Sequence, residues 1–253
     1  PEDFVLTDNG VRQQIDSVES TALPIDLTLV VDLSGNPRRP WLARVDPAKV
    51  AASVEKEVQE VTKILRPADR VRLLAIDRYV QQVWSLQPAA AQSPIRRVDF
   101  DGLGSVYDTL AAALLQPVEP ARRHVVIART KGTDTVSAID ARALRAIAER
   151  SDALLQLVVM ESALGSDSAL SAFQSNLIGL AEPTNRSWLP HHRRLVAPIA
   201  PYQVLSDGMA VRSAVETAGG GWHQAAGFTE ATLTGIFRET FEYFRLGYLL
   251  PYT

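Results

Sequence analysis

Hydrophobic and polar positions fall into two rhythms along this chain. Residues 27–31, Leu-Thr-Leu-Val-Val, are nearly continuously apolar, as in a parallel strand covered on both faces, so a buried central strand is predicted there. Phe4–Leu6 and Val11–Val18 flank Asp8-Asn9-Gly10, and Asn-Gly favours the positive φ angles of a tight turn, predicting an opening β hairpin at a sheet edge. Asp46-Pro47 offers an N-cap and a first-turn proline, after which Val50, Val54, Val58, Val61 and Leu65 recur at helical spacing until Pro67. Val71–Ile76 and Val80–Leu86 read as two strands joined by so short a turn that they must be antiparallel.

Ser105 is placed to cap a helix running to Gln116, with Asp108 as a nearby acid favouring its dipole and Pro117 as its stop. His124–Ala128 is a further apolar strand, followed by a helix near 138–150 and a strand at Leu154–Met160. The rhythm breaks over 183–206, a stretch with four prolines, three arginines, two histidines and no acid, which predicts an irregular surface excursion. A helix at 207–218, a Gly219-Gly220-Gly221 stop, a short strand at Trp222–Ala225, a helix at 229–244 and a strand at 246–252 complete the pattern. Strands and helices alternating at this spacing give an α/β fold: a doubly wound, mostly parallel central sheet with one antiparallel edge strand, helices on both faces and an N-terminal β hairpin. The expected organisation is a hairpin at 1–22 packed on a main domain at 23–253.

Composition adds limits. With 253 residues, 46% hydrophobic and 22% charged, the chain has enough apolar material for one large core. A net charge of -3 gives no whole-chain attraction to nucleic acid, and no nucleic-acid partner is expected. No cysteine is present, which removes disulfides, thiolate metal sites and a cysteine nucleophile. No apolar run reaches the roughly 18 residues of a membrane helix. The chain opens on Pro1 just before a strand pattern, which reads as a processed start and leaves a lost export signal open.

Candidate chemistry begins where the central strand ends, in Asp32-Leu-Ser34-Gly-Asn36, because an open α/β sheet places its crevice at such strand ends. Two further stretches share its polar character: Gly102-Leu-Gly104-Ser105-Val-Tyr107-Asp108 and Thr130-Lys131-Gly132-Thr-Asp134-Thr135. In this order they resemble the von Willebrand factor type A domain family, in its bacterial branch with a leading β hairpin. The opening Asp3-Phe-Val-Leu-Thr-Asp-Asn-Gly-Val-Arg-Gln-Gln and the closing Phe244-Arg-Leu-Gly-Tyr248 add to that likeness. The family pattern is Asp-x-Ser-x-Ser, a Gly-Gly-Thr-x-x-Tyr-Asp loop and Thr-Asp-Gly, together forming a metal-ion-dependent adhesion site. The resemblance therefore implies metal ligands at Asp32, Ser34, Asn36 and Ser105.

Lys131 stands where the family has its second aspartate. An ammonium there changes the formal charge by two units, and at ~4 Å with an effective dielectric of about 20 it repels a divalent ion by roughly 8 kcal/mol, about a micromolar binding energy. Lys131 is thus expected to occupy the metal's place beside Asp32, leaving a degenerate site without a cofactor; a Mg-binding adhesion module is the alternative. A second alternative, a phosphatase-like hydrolase using Asp32, rests on the strand-end Asp with Thr130 and Lys131. It lacks a second Asp, since Ser34 takes that place, and a late acidic pair for Mg.

His191-His192 reads as solvated loop, since adjacent strand residues face opposite ways and no acid lies nearby. Arg186, Arg193 and Arg194 beside Trp188 make a candidate cationic contact surface. Trp41 and Tyr202, in proline-containing loops, are candidate contact aromatics, while Trp84 and Trp222 are assigned to the core. The expectation is a non-catalytic protein-binding, adhesion-type or scaffolding module. It would meet an unidentified protein partner through Asp32, Ser105 and Lys131, or through Arg193. An extracellular or periplasmic location is implied by the family resemblance alone.

Overall fold

The computed structural model describes residues 4–20, 23–34, 46–96, 98, 103–130, 132, 134–159, 201–225, 227–241 and 244–249. The predicted central strand is β4 (Ile25–Asp32), buried at all eight positions because strands lie on both sides and helices cover both faces. It pairs in parallel with β5 (Arg70–Ile76) and β7 (Arg123–Thr130). β5 turns into the antiparallel edge strand β6 (Val80–Pro88), as the short connection requires. On the other side β8 (Leu154–Val159) and β9 (Trp222–Gln224) extend the sheet in parallel, giving the order β6-β5-β4-β7-β8-β9.

Alternation of side chains along the strands divides the core in two. Ile25, Leu27, Leu29 and Val31 face α1 (Pro47–Thr62) through Ala51, Val54, Val58 and Val61, together with Leu233, Ile236 and Phe237 of a C-terminal helix (Glu230–Phe241). Val30, Leu74, Ile76, Val126 and Ala128 face α2 (Val106–Leu114), α3 (Ala141–Arg150) and α4 (Pro201–Thr217), so the C-terminal helix is α5. α1 begins as predicted: Asp46 accepts the backbone N–H of Ala48 and Pro47 opens the first turn. Arg129 Nε of β7 and Glu57 Oε2 of α1 lie 2.7 Å apart, an ion pair by distance that is not aligned as a hydrogen bond.

The ends of the chain depart from expectation. Asn9 and Gly10, with φ of 49° and 79°, make the predicted turn between β1 (Leu6–Asp8) and β2 (Val11–Gln13), but these two strands pair with each other as a separate two-stranded sheet. The segment Val11–Val18 is not one strand. Its second half belongs to β3 (Ser17–Ser20), which pairs antiparallel with β10 (Phe244–Gly247) and so ties the two ends of the chain together. The final strand accordingly begins at Phe244, where backbone pairing rather than apolar pattern sets the register. The helix expected from 207 starts at Pro201, since proline is well suited to a first helical turn, and this removes 201–206 from the predicted excursion. The rest of that excursion lies outside the described residues. Gly219 ends α4 with φ of 68°, and a Cβ on Gly220 would lie 1.6 Å from the Leu155 carbonyl oxygen, so this glycine is required by close approach to β8. Trp84 is buried as expected, and Trp222 is half-buried against the α4 side.

Candidate functional site

β4 sends its connections in opposite directions: α1 leads to β5 on one side, and β7 lies on the other, reached through α2. Crevices form at such a switch point, beyond the carboxyl ends of the strands. Asp32 is the last residue of β4 and is buried there. Its Oδ1 accepts the backbone N–H of Ser34 at 2.8 Å and the Ser34 hydroxyl at 2.5 Å. Its Oδ2 accepts the Thr130 hydroxyl from the end of β7 at 2.8 Å. Thr130 in turn receives the backbone N–H of Gly132 at 3.0 Å, and Gly132, at φ 76°, turns the chain sharply away. Two hydroxyls and one backbone amide thus hold one strand-end carboxylate, and the Gly132 amide holds Thr130 in turn.

Ser105 is the N-cap residue of α2, but its hydroxyl does not cap the helix as predicted. Both its backbone N–H and its hydroxyl are given to the Asp77 carbonyl oxygen, at 2.9 and 2.7 Å. Asp77 follows β5 directly, and it too is buried. The helix end is satisfied instead by Asp134, whose carboxylate accepts the Tyr107 N–H at 3.1 Å and both the N–H and the hydroxyl of Ser137. Burial raises the pKa of this carboxyl, with those hydrogen bonds working in the other direction. Asp108, expected to act on its own helix, reaches across and accepts the N–H groups of Ala138 and Ile139. Thr135 completes the junction by receiving the Gly104 N–H at 2.7 Å. Two loops that the sequence set apart are therefore stitched through reciprocal carboxylates.

Of the predicted site residues, Asp32 and Ser34 are in direct contact, and Ser105 stands on the same end of the sheet with its hydroxyl turned to Asp77. Asn36, Lys131 and Arg193 lie outside the described residues, as do His191, His192, Arg186, Arg194, Trp41 and Trp188. Asp77 and Asp134 belong to the cluster but were given no role from the sequence, and Thr130 was given one only in the phosphatase alternative. Asp77 carried a usable signal, an acid directly after an apolar strand, the same signature that marked Asp32. Asp134 carried none, because its function depends on where α2 begins in space.

A divalent ion of the Mg or Ca type requires several hard oxygen ligands. At this end of the sheet the described residues include the carboxylates of Asp32, hydrogen-bonded through both oxygens, and of Asp77, with Ser34 and Ser105 as hydroxyl groups. The other acid of the third loop, Asp134, is committed to α2. Among the described residues no three His, Asp or Glu side chains converge in a manner suited to a metal. These groups by themselves form a hydrogen-bonded cluster rather than a full coordination sphere.

No family model matches the chain, and no curated protein matches it. Among solved structures, a von Willebrand factor type A protein from Catenulispora acidiphila is similar at a TM-score of 0.52 and 13% identity, over 94% of this chain and 51% of that one. Proximal thread matrix protein 1 from the mussel byssus, with a zinc-occupied MIDAS motif, is similar at a TM-score of 0.52 and 10% identity, over 92% and 49%. The chain spans about half the length of each. Identities this low speak to the fold alone. Sheet order, the helices on both faces and these likenesses together establish that the chain has the von Willebrand factor type A fold.

Proposed function

We propose that the chain is a protein-interaction module of the adhesion or scaffolding kind, which meets its partner at the carboxyl end of the sheet without a metal ion. The observation that carries this reading is the fixing of Asp32 by Ser34 and Thr130, which presets a carboxylate and its hydroxyl neighbours at the switch point. Preorganised polar groups at a crevice supply specificity at low ordering cost. Lys131 lies between Thr130, which bonds Asp32, and Gly132, and is proposed to bring the positive charge that an ion brings elsewhere in this fold. Asp32, Ser105 and Lys131 are the proposed partner contacts, with Arg193 as a second surface. By analogy with the fold, the setting is proposed to be extracellular or periplasmic; no described helix is long and apolar enough to cross a membrane.

The oxygen set Asp32, Ser34 and Ser105 favours a second reading, a Mg-dependent adhesion module. Calorimetric titration with Mg, Mn and Ca separates the two: no uptake at micromolar concentrations is expected, and clear micromolar uptake by the unaltered chain would establish the second reading. The double change Lys131→Asp with Asn36→Ser is expected to create metal uptake. The phosphatase reading gains no support, because Ser34, in place of a second acid, turns its hydroxyl onto Asp32. No turnover of p-nitrophenyl phosphate is expected.

A further inference from the structure

At the opposite end of the sheet, β5, β4 and β7 align their inward-facing residues in rows: Arg70, Asp26 and His124, then Arg72, Thr28 and Val126. These rows lie on the α2 side, yet α2 has only nine residues, about 13 Å of helix, against about 26 Å for the eight residues of β4. The helix starts at the Asp32 end and covers the apolar rows of Leu74, Val30 and Ala128. Polar side chains fill the space below it.

Accounting for their partners leaves one group over. Asp26 accepts two hydrogen bonds from Arg70, at 2.8 and 2.6 Å, and one from Arg122 at 2.6 Å. Arg70 also pairs with Glu119 at 2.7 Å. Arg72 is only 8% exposed, and its one described bond is a long 3.5 Å contact to the Thr28 hydroxyl, which is itself 3.0 Å from Nε2 of His124. Among the described residues three guanidiniums thus face two carboxylates, and the charge in excess sits on the innermost arginine. A buried guanidinium with five N–H donors is costly unless an acceptor meets it. The carboxyl end of α2 offers partial negative charge, but no described acceptor bonds Arg72 apart from Thr28.

We infer that Arg72, with Thr28 and His124 behind it and Arg70 and Arg122 toward solvent, forms a binding niche for a small oxyanion, a phosphate or a carboxylate. The guanidinium fork suits two oxygens held side by side. Its place level with Thr28, four residues or about 13 Å along β4 from Asp32, sets it apart from the proposed partner surface.

The test is titration of the whole chain with inorganic phosphate and, separately, acetate, at constant ionic strength set by sodium chloride, followed by melting temperature and calorimetry. Saturable stabilisation by at least one of these anions is expected, and it should be lost in Arg72→Met and kept in Arg145→Gln, a control at an exposed ion pair. A response that survives in Arg72→Met overturns the proposal, as does a chain indifferent to both anions. Should Arg72→Met fail to fold, Arg72→Lys serves instead: it keeps the charge, loses the fork and is expected to weaken binding at least tenfold. An original chain with no anion response, together with an Arg72→Met chain no more stable than it, shows that α2 and Asp26 suffice to offset Arg72 and overturns the proposal.

Discussion

β4 carries two buried aspartates on the same face, Asp26 and Asp32, separated by six residues or about 20 Å. Their surroundings solve the same problem differently. Asp26 is met by two guanidiniums, whose hydrogen bonds and charges hold its pKa below the usual carboxylate value against the opposing effect of burial. The bonds described at Asp32 come from neutral donors, the Ser34 amide and hydroxyl and the Thr130 hydroxyl. Fixed charge locks a structure, since moving any member strands another in the interior. Neutral hydroxyls orient a carboxylate without consuming its charge in a bidentate pair. On the proposed reading, the charge-paired Asp26 end holds the sheet and the Asp32 end, where the described donors are neutral, presents a group to the partner.

The largest effect expected from breaking this contrast is at Asp26. Asp26→Ala leaves Arg70 and Arg122 facing Arg72 in a half-buried layer, and a loss of about 4 kcal/mol is expected in urea unfolding. Asp32→Ala is expected to cost less, because its described donors are small neutral groups that can turn elsewhere. Equal losses at the two positions would remove the distinction between lock and presenting group.

Acidification sharpens the same comparison. His124, buried beside Arg72, has its pKa pushed down to about 4 by desolvation first and by the Arg72 charge second. The unfolded chain takes up this proton near pH 6.5 and the folded chain only near pH 4. Between those values the unfolded state binds more protons, so stability falls as pH falls. The full window is worth up to about 3 kcal/mol, and a His124→Gln chain should lose that slope. Asp26 acts in a separate, lower window: its contribution is present above the ordinary carboxylate pKa and is lost as pH falls through its depressed value. Thermal unfolding measured from pH 7 to pH 4 checks the His124 slope.

A smaller effect is expected at Thr130. Thr130→Val keeps the shape but removes the donor to Asp32 and the acceptor for Gly132, at a cost of about 1.5 kcal/mol in thermal unfolding. A loss near that of Asp26→Ala would mean that the Asp32 end is itself a structural lock.

Much of the architecture was legible because it follows local rules. The run of apolar residues in β4, the Asp46-Pro47 start of α1 and the Asn9-Gly10 turn each depend on neighbours in sequence, and each lies where expected. The pairing of β3 with β10 was not legible, since it joins segments over two hundred residues apart and only backbone proximity selects it. Within the site, Asp32 and Ser34 could be paired from their two-residue spacing. Ser105 misled, because the standard reading of a serine before a helix is a cap, and here Asp134 supplies that cap from the next loop.

Sequence alone determined the alternation of strands and helices, the strand-end position of Asp32 and the unusual Lys131 beside Thr130, since periodicity and position in the chain carry that information. Only the tertiary structure decided which acids meet guanidiniums and which meet hydroxyls. The parallel register sets Arg70 beside Asp26 and Arg72 beside Thr28, and it brings the ends of β4 and β7 together so that Thr130 reaches Asp32. Hydrogen bonds and ion pairs act over a few ångströms, and for residues far apart in the chain those distances exist only once the sheet has formed.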